Sequence, residues 1–331
     1  MVWRAYTKVL ALIALFLMVE VAYTSTLSFT DKLGRKVSVN VPVKKAVIVI
    51  TGELIPALNL WDQVVGVSRF TQEECDVYKA LIKEKPYLKR TQVGSGSDLN
   101  VEAVLKLEPD LIITWTYYPN TIRFLENRGL TVFAVHPESL EELYEVIRLH
   151  GKFFGKEKRA ERVILKMEMV FKLIRERVDK IPEEKRKRVI YLMGSPTRVV
   201  AKYGVGNDVL KLAGGINPAE EVSGNYVDVS VEKIIQWNPD VIFIWGNANY
   251  DEGWLYKNSQ WKLVNAVKNK RIYKLPKWST WSPRVAVIAL YMAMKIYPEQ
   301  FKDIDFEKVA DDFYREVFGI SYYKVKQYEG N

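Results

Sequence analysis

Eighteen residues of this chain occur twice. Positions 98–115 (DLNVEAVLKLEPDLIITW) return at 228–245 (DVSVEKIIQWNPDVIFIW), 130 residues on and without a gap. Seven of the eighteen positions are identical, where unrelated windows of ordinary composition share on the order of one. A duplication of this kind implies two similarly built lobes. Each copy has the same physical parse. Asn100 or Ser230 caps a short helix whose apolar residues fall three and four apart (Val101, Val104, Leu105; Val231, Ile234, Ile235), and Pro109-Asp110 or Pro239-Asp240 stops it. Leu111–Trp115 and Val241–Trp245 then read as strands buried on both faces.

Further strand candidates at 46–50, 64–67, 131–135, 189–193 and 271–275 alternate with helical patterns. That alternation predicts βαβ units, hence an α/β chain of two lobes with mainly parallel sheets. Between the lobes, 155–180 carries Ala160, Val163, Ile164, Met167, Val170, Phe171, Ile174 and Val178 on one helical face and ends at Ile181-Pro182. One long helix therefore joins the lobes. The expected organisation is a signal peptide or N-terminal anchor over 1–26, a first lobe over 27–154, a linking helix over 155–181 and a second lobe over 182–331. A single helical connector also predicts small lobe motions.

Composition narrows the function. The 331 residues carry 49 Lys and Arg against 40 Asp and Glu, a net charge of +9, but the two signs are interleaved. Even the basic run 185–188 reads as a solvated helix-to-strand connection, and no nucleic-acid motif is present. The only cysteine is Cys75 and the only histidines are His136 and His150, too few for a disulfide framework, an iron–sulfur cluster or a Cys/His zinc site. Cys75 reads as an unpaired loop or helix thiol and both histidines as structural. At the N-terminus, Arg4 and Lys8 precede an apolar stretch from Val9 to Val19 and then small and polar residues, the pattern of an export signal. No cysteine follows that stretch for lipid attachment.

The ordered set of features resembles the helix-linked binding proteins that serve ABC importers of iron-siderophores, haem and cobalamin. It runs from the hairpin-like 29–37 through 46–50, 65–67 and 93–94 to both repeat copies. It then takes in 151–160, Asn207 to Gly215, 261–267, 271–273 and Ser282-Pro283-Arg284. The resemblance implies the chelatase-like, helical-backbone metal-receptor fold, and a glutamate on each lobe that docks with the permease. The matching positions are Glu102 and Glu232, acids at the same place in each repeat. It also implies partners: the ABC permease dimer with its ATPase subunits, and a small metal chelate. The chain is expected to be an extracytoplasmic monomer, associated with the membrane only through the permease or an N-terminal anchor, without nucleic acid, resident cofactor or protein-held metal.

In open α/β sheets ligands bind beyond the carboxyl ends of strands. The residues there are aromatic: Trp115, Tyr117 and Tyr118 in the first lobe; Tyr226, Trp245, Trp254, Trp278 and Trp281 in the second. Flat side chains of low entropy cost suit a bulky chelate. Arg69 and Arg198 follow strands and are placed to pair with an anionic chelate, whereas Arg284 reads as structural. A corrinoid or haem is the alternative cargo, with Tyr117 or Met193 as the available axial ligand for haem. A chelatase-like enzyme is the alternative of another class. It is disfavoured because Gly204-Val-Gly206, Gly94-Ser-Gly96 and Gly194-Ser195 complete no dinucleotide, P-loop or nucleophile-elbow motif, so no catalytic residues are expected.

Overall fold

A computed structural model describes residues 25–329 of the chain. Most of the expected signal segment therefore lies outside the described residues, and its last two, Ser25 and Thr26, open the first strand. β1 (Ser25–Thr30) and β2 (Lys36–Val41) form an antiparallel hairpin. Five parallel strands follow: β3 (Ala46–Ile48), β4 (Val64–Val67), β5 (Thr91–Gln92), β6 (Leu111–Trp115) and β7 (Val132–Val135), in spatial order β5-β4-β3-β6-β7. The second sheet holds β8 (Val189–Leu192), β9 (Arg198–Val200), β10 (Tyr226–Asp228), β11 (Val241–Ile244) and β12 (Ile272–Lys274), in order β10-β9-β8-β11-β12. Here β8, β11 and β12 run parallel and the two strands at one edge run antiparallel. The central strands are uninterrupted apolar runs buried on both faces, as parallel strands covered by helices must be.

In each sheet the chain starts in the middle, grows outward on one side and returns to grow on the other. The order thus reverses between β3 and β6, and again between β8 and β11.

The repeat units fold alike. Asn100 accepts a hydrogen bond from the Ala103 amide and Ser230 from the Lys233 amide, so each capping oxygen answers an otherwise unpaired helical N–H. The helices Val101–Leu107 and Val231–Trp237 end one residue before the Pro-Asp pair, where Glu108 (φ 47°) and Asn238 (φ 45°) take the left-handed C-cap turn. The aspartates then tie each strand to its neighbour. Asp110 Oδ2 accepts from the Lys44 and Lys45 amides at 3.0 and 2.8 Å, and Asp240 Oδ2 from the Arg188 amide at 2.9 Å.

The long helix is Glu157–Val178, and all eight apolar residues of its predicted stripe are buried. It packs on the first-lobe helix Leu140–Phe154 and on Val285–Ile296, which follows the second sheet. Apart from Ala160, each of those side chains gains about 1.5–3 kcal/mol by leaving water. One continuous apolar core runs through both lobes. The helices Phe306–Phe318 and Tyr322–Lys326 cross back to pack on Leu54–Leu58 and Asp76–Glu84 of the first lobe. The last two helices of the segment 182–331 thus brace the first lobe.

Candidate functional site

The two reversal points face each other across a cavity of about 500 Å³. Its walls are the residues that leave the central strands. Val49 to Glu53 follow β3, Trp115, Tyr117 and Tyr118 end or follow β6, Met193 follows β8, and Trp245 and Asn247 follow β11. The loop 277–282 beyond β12 closes one side, and Tyr226 enters from β10. Of the residues singled out above, Trp115, Tyr117, Tyr118, Tyr226, Trp245, Trp278 and Trp281 line the cavity.

Arg69, Arg198 and Trp254 do not line it, and each has another engagement. Arg69 Nη1 is 2.6 Å from Asp98 and Arg198 Nη1 is 3.2 Å from Asp228, both pairs half-exposed at the surface. Trp254 donates its amide to the helix-capping Asp251 and leans on Tyr250 with its own face toward solvent. Tyr250 in turn donates to the carbonyl oxygens of Met193 and Ser195, which holds it outside the lining.

The aromatic wall joins the lobes. Trp281 packs against Trp115 and against His136, with ring centres 4.9 Å apart in both cases. His136 contacts the Thr116 hydroxyl through Nδ1 and the Tyr117 hydroxyl through Nε2, each at 3.2 Å. Burial lowers the affinity of that imidazole for a second proton. His136 is thus a second layer that holds Tyr117 upright, while Tyr117 itself remains half-exposed to the cavity. Desolvation pushes the phenols of Tyr117 and Tyr226 up, the latter to about 12, so both are hydrogen-bond donors at neutral pH. Trp278 is nearly covered, stacked on Phe306, and donates Nε1–H to Glu329 at 2.7 Å.

The floor is polar and comes from the first lobe. Thr51, directly beyond β3, sits in the left-handed region (φ 64°), a conformation a β-branched residue adopts only under constraint. Its hydroxyl meets His150 Nε2 at 3.1 Å, and His150 Nδ1 meets the Val146 carbonyl at 2.8 Å. Full burial depresses the His150 pKa to about 4, so the ring is neutral and donates through Nδ1. Gly52 is required next: a Cβ there would stand 2.3 Å from the Thr71 hydroxyl. Ser68, Thr71 and Ser95 add further hydroxyls.

Beneath them lies a buried ionic cluster that spans the lobes. Arg284, fully covered, donates Nη1–H to Asp76 at 2.8 Å and Nε–H to Glu53 at 3.2 Å, and Ser282 donates to the same Glu53 carboxylate. Desolvation raises the Glu53 pKa against the pull of Arg284. Cys75 is part of this floor, with Sγ 3.7 Å from Glu53 Oε1. Burial pushes its thiol far above the usual range, so it is a protonated packing group rather than a nucleophile. Glu53, Cys75 and Asp76 converge as metal donors do. The guanidinium already bound to both carboxylates answers their charge, so the set does not fit a resident cation.

Sequence reasoning overlooked Thr51, Glu53, Cys75, Tyr191, Asn247 and Lys277 as lining residues. The signal was present: Thr51 to Glu53 leave the carboxyl end of a central strand, the place where the aromatics and the two arginines were singled out. Glu102 and Glu232 stand exposed in the first turns of the two repeat helices, each six residues beyond a cavity residue, Gly96 and Tyr226 respectively.

The family described as "Periplasmic binding protein" matches residues 51–278, which take in both reversal points. The chain is 24% identical over 325 residues to the molybdate-binding protein MolA of Haemophilus influenzae, covering 88% of this chain and 91% of that one. It is 29% identical over 205 residues to the iron(3+)-hydroxamate-binding protein FhuD of Bacillus subtilis, covering 58% and 64%. Among solved structures, the nickel–histidine complex of CeuE from Helicobacter pylori superposes with a TM-score of 0.79 at 26% identity, over 93% of this chain and all of that one.

Proposed function

The chain belongs to the periplasmic binding protein family, whose members are the extracytoplasmic substrate-binding proteins of ABC importers, and we propose that its cargo is an iron(III)-siderophore or a similar metal chelate. The observation that carries this reading is the cavity. It lies where both sheets reverse, is walled by indoles and phenols from both lobes, and its volume is in the range that encloses an organic ligand. A bare oxyanion would leave most of such a space empty. Aromatic faces contribute area and π contact, while Thr51, Ser68, Thr71 and the tyrosine hydroxyls supply hydrogen bonds to chelating oxygens. The relatives that bind an iron hydroxamate and a nickel–histidine complex agree with a chelate; the molybdate-binding relative is the case to test against.

Haem is the second reading, because Tyr117 and Met193 both reach the cavity and either side chain is a known kind of axial ligand. Delivery in our reading uses Glu102 and Glu232 as a matched pair of exposed acids for the two permease subunits. Replacing both by alanine should abolish uptake and leave ligand affinity intact. Titration of the tryptophan fluorescence with a ferric siderophore, haemin, cobalamin and molybdate decides the cargo. The ferric siderophore is expected to bind tightest; tighter binding of any other would overturn the assignment.

A further inference from the structure

We infer that the cavity selects a chelate of zero net charge, one whose trivalent metal is balanced by three singly charged donor groups, as in a ferric tris-hydroxamate. This rests on the reading of the cavity as a chelate site and adds the class of chelate. It follows from where the charges are. Among the described residues, Lys277 is the one cationic side chain in the lining, and its Nζ lies 3.0 Å from Glu74. Among the same residues Glu53 is the one carboxylate in the lining, and it is committed to Arg284 and Ser282. Arg69 and Arg198, the two cations at neighbouring strand ends, are held by Asp98 and Asp228 outside. The remaining lining is uncharged: aromatic, aliphatic and hydroxylic side chains with glycines, the protonated Cys75 thiol, the Met193 thioether and the Asn247 carboxamide. The net charge of +9 on the whole chain is therefore not expressed in the cavity.

A ferric tris-catecholate carries three dianionic donors around Fe³⁺ and so three negative charges in all. Enclosed here, it would exchange water for indole faces with no unanswered cation to meet it, and burying charge without a partner is costly. A neutral complex meets no such cost. Its carbonyl and N–O oxygens accept from hydroxyls of the floor, and its hydrocarbon arms lie against Trp115, Trp245 and Trp281.

The test is equilibrium dialysis or fluorescence titration of the full chain with a ferric tris-hydroxamate and a ferric tris-catecholate across a range of salt. The hydroxamate should bind at least about tenfold tighter, with an affinity that changes less than about threefold between roughly 0.05 and 0.5 M salt. Catecholate binding as tight as the hydroxamate, or hydroxamate binding that weakens steeply with salt, would overturn the inference while leaving the chelate reading in place. If neither chelate binds and molybdate or haemin does, the chelate reading itself falls and takes this inference with it. Asn247→Lys adds a cation to the lining and should move the affinity ratio at least about tenfold toward the catecholate; no movement would mean that charge is not what discriminates.

Discussion

In the first lobe, Glu108 makes the left-handed turn that ends the repeat helix and Asp110 ties the next strand to its neighbour; in the second, Asn238 and Asp240 do the same. From these caps to the carboxyl ends of β6 and β11 the two repeat units fold alike, and Trp115 and Trp245 both reach the cavity. Beyond those ends they part. The first lobe contributes Tyr117 and Tyr118, the hydroxyls of the floor and the acids of the buried cluster, whereas the second contributes Tyr191, Met193, Tyr226 and the tryptophan loop. Carrying the same offset two residues upstream pairs Gly96 with Tyr226, and three downstream pairs Tyr118 with Ala248. At Gly96 the Tyr118 ring fills the space a side chain would need, with a Cβ only 1.9 Å from it. What the pair of lobes teaches is that core packing held the frame constant, while loops free of that constraint became a polar floor in the first lobe under an aromatic wall that both lobes build.

The strongest way to break that division is at its seam. Arg284 comes from the second lobe and pairs with two first-lobe acids. Arg284→Met should cost about 3–5 kcal/mol in denaturant unfolding, because Glu53 and Asp76 are left buried without a partner. Adding Glu53→Gln and Asp76→Asn to the same variant should recover much of the loss, since the penalty is the stranded charge rather than the missing contact. A single Arg284→Met as stable as the parent would mean that the lobes are not joined through this cluster.

The frame was legible in the sequence and the seam was not. Strand runs, caps and the long helical stripe are local patterns, each written within some twenty residues, and a 130-residue repeat doubles the signal. Arg284 and Glu53 are 231 positions apart, and nothing near either residue announces the other. The position of Thr51 beyond a central strand was legible, but its surroundings were not: its hydroxyl meets His150, 99 positions away, and Thr71 fills the space a Cβ at position 52 would need. The returning C-terminal helices were hidden in the same way, because an amphipathic stripe says that a face is covered and not which lobe covers it.

Titration gives a second contrast between the halves, of opposite sign. His150, in the first lobe, has a folded pKa of about 4 against an ordinary 6.5. The unfolded chain therefore binds the proton first as pH falls, and His150 removes stability between about 6.5 and 4, roughly 3 kcal/mol in full. Glu329, beyond the last C-terminal helix and bonded to Trp278, is pushed up to about 7 by burial. The folded state holds its proton more tightly, so its contribution is present at low pH and lost as pH rises through about 7. Measured by urea unfolding between pH 4.5 and 6.5, and relative to the parent, His150→Gln should become more stable on acidification and Glu329→Gln less so. Parallel pH profiles for the two variants would show that neither site titrates as its burial requires.

The smallest effect is expected at the two arginines that the sequence offered as anion clamps, and it bears on whether the repeat or the ligand owns them. Arg69 stands two residues beyond the neighbour of β3, and Arg198 begins the neighbour of β8; their partners, Asp98 and Asp228, are the first residues of the two repeat copies. The same ion pair is thus made twice, at equivalent places, in half-exposed surroundings where such pairs contribute little. A feature duplicated with the frame belongs to the frame, because the cavity linings on the two sides have diverged and these pairs have not. Arg69→Ala, Arg198→Ala and the double variant should each leave affinity for a neutral ferric chelate within about twofold of the parent by fluorescence titration. If the double variant instead weakens binding more than about tenfold, the arginines leave their aspartates for the ligand, and the frame would have to be counted as part of the site.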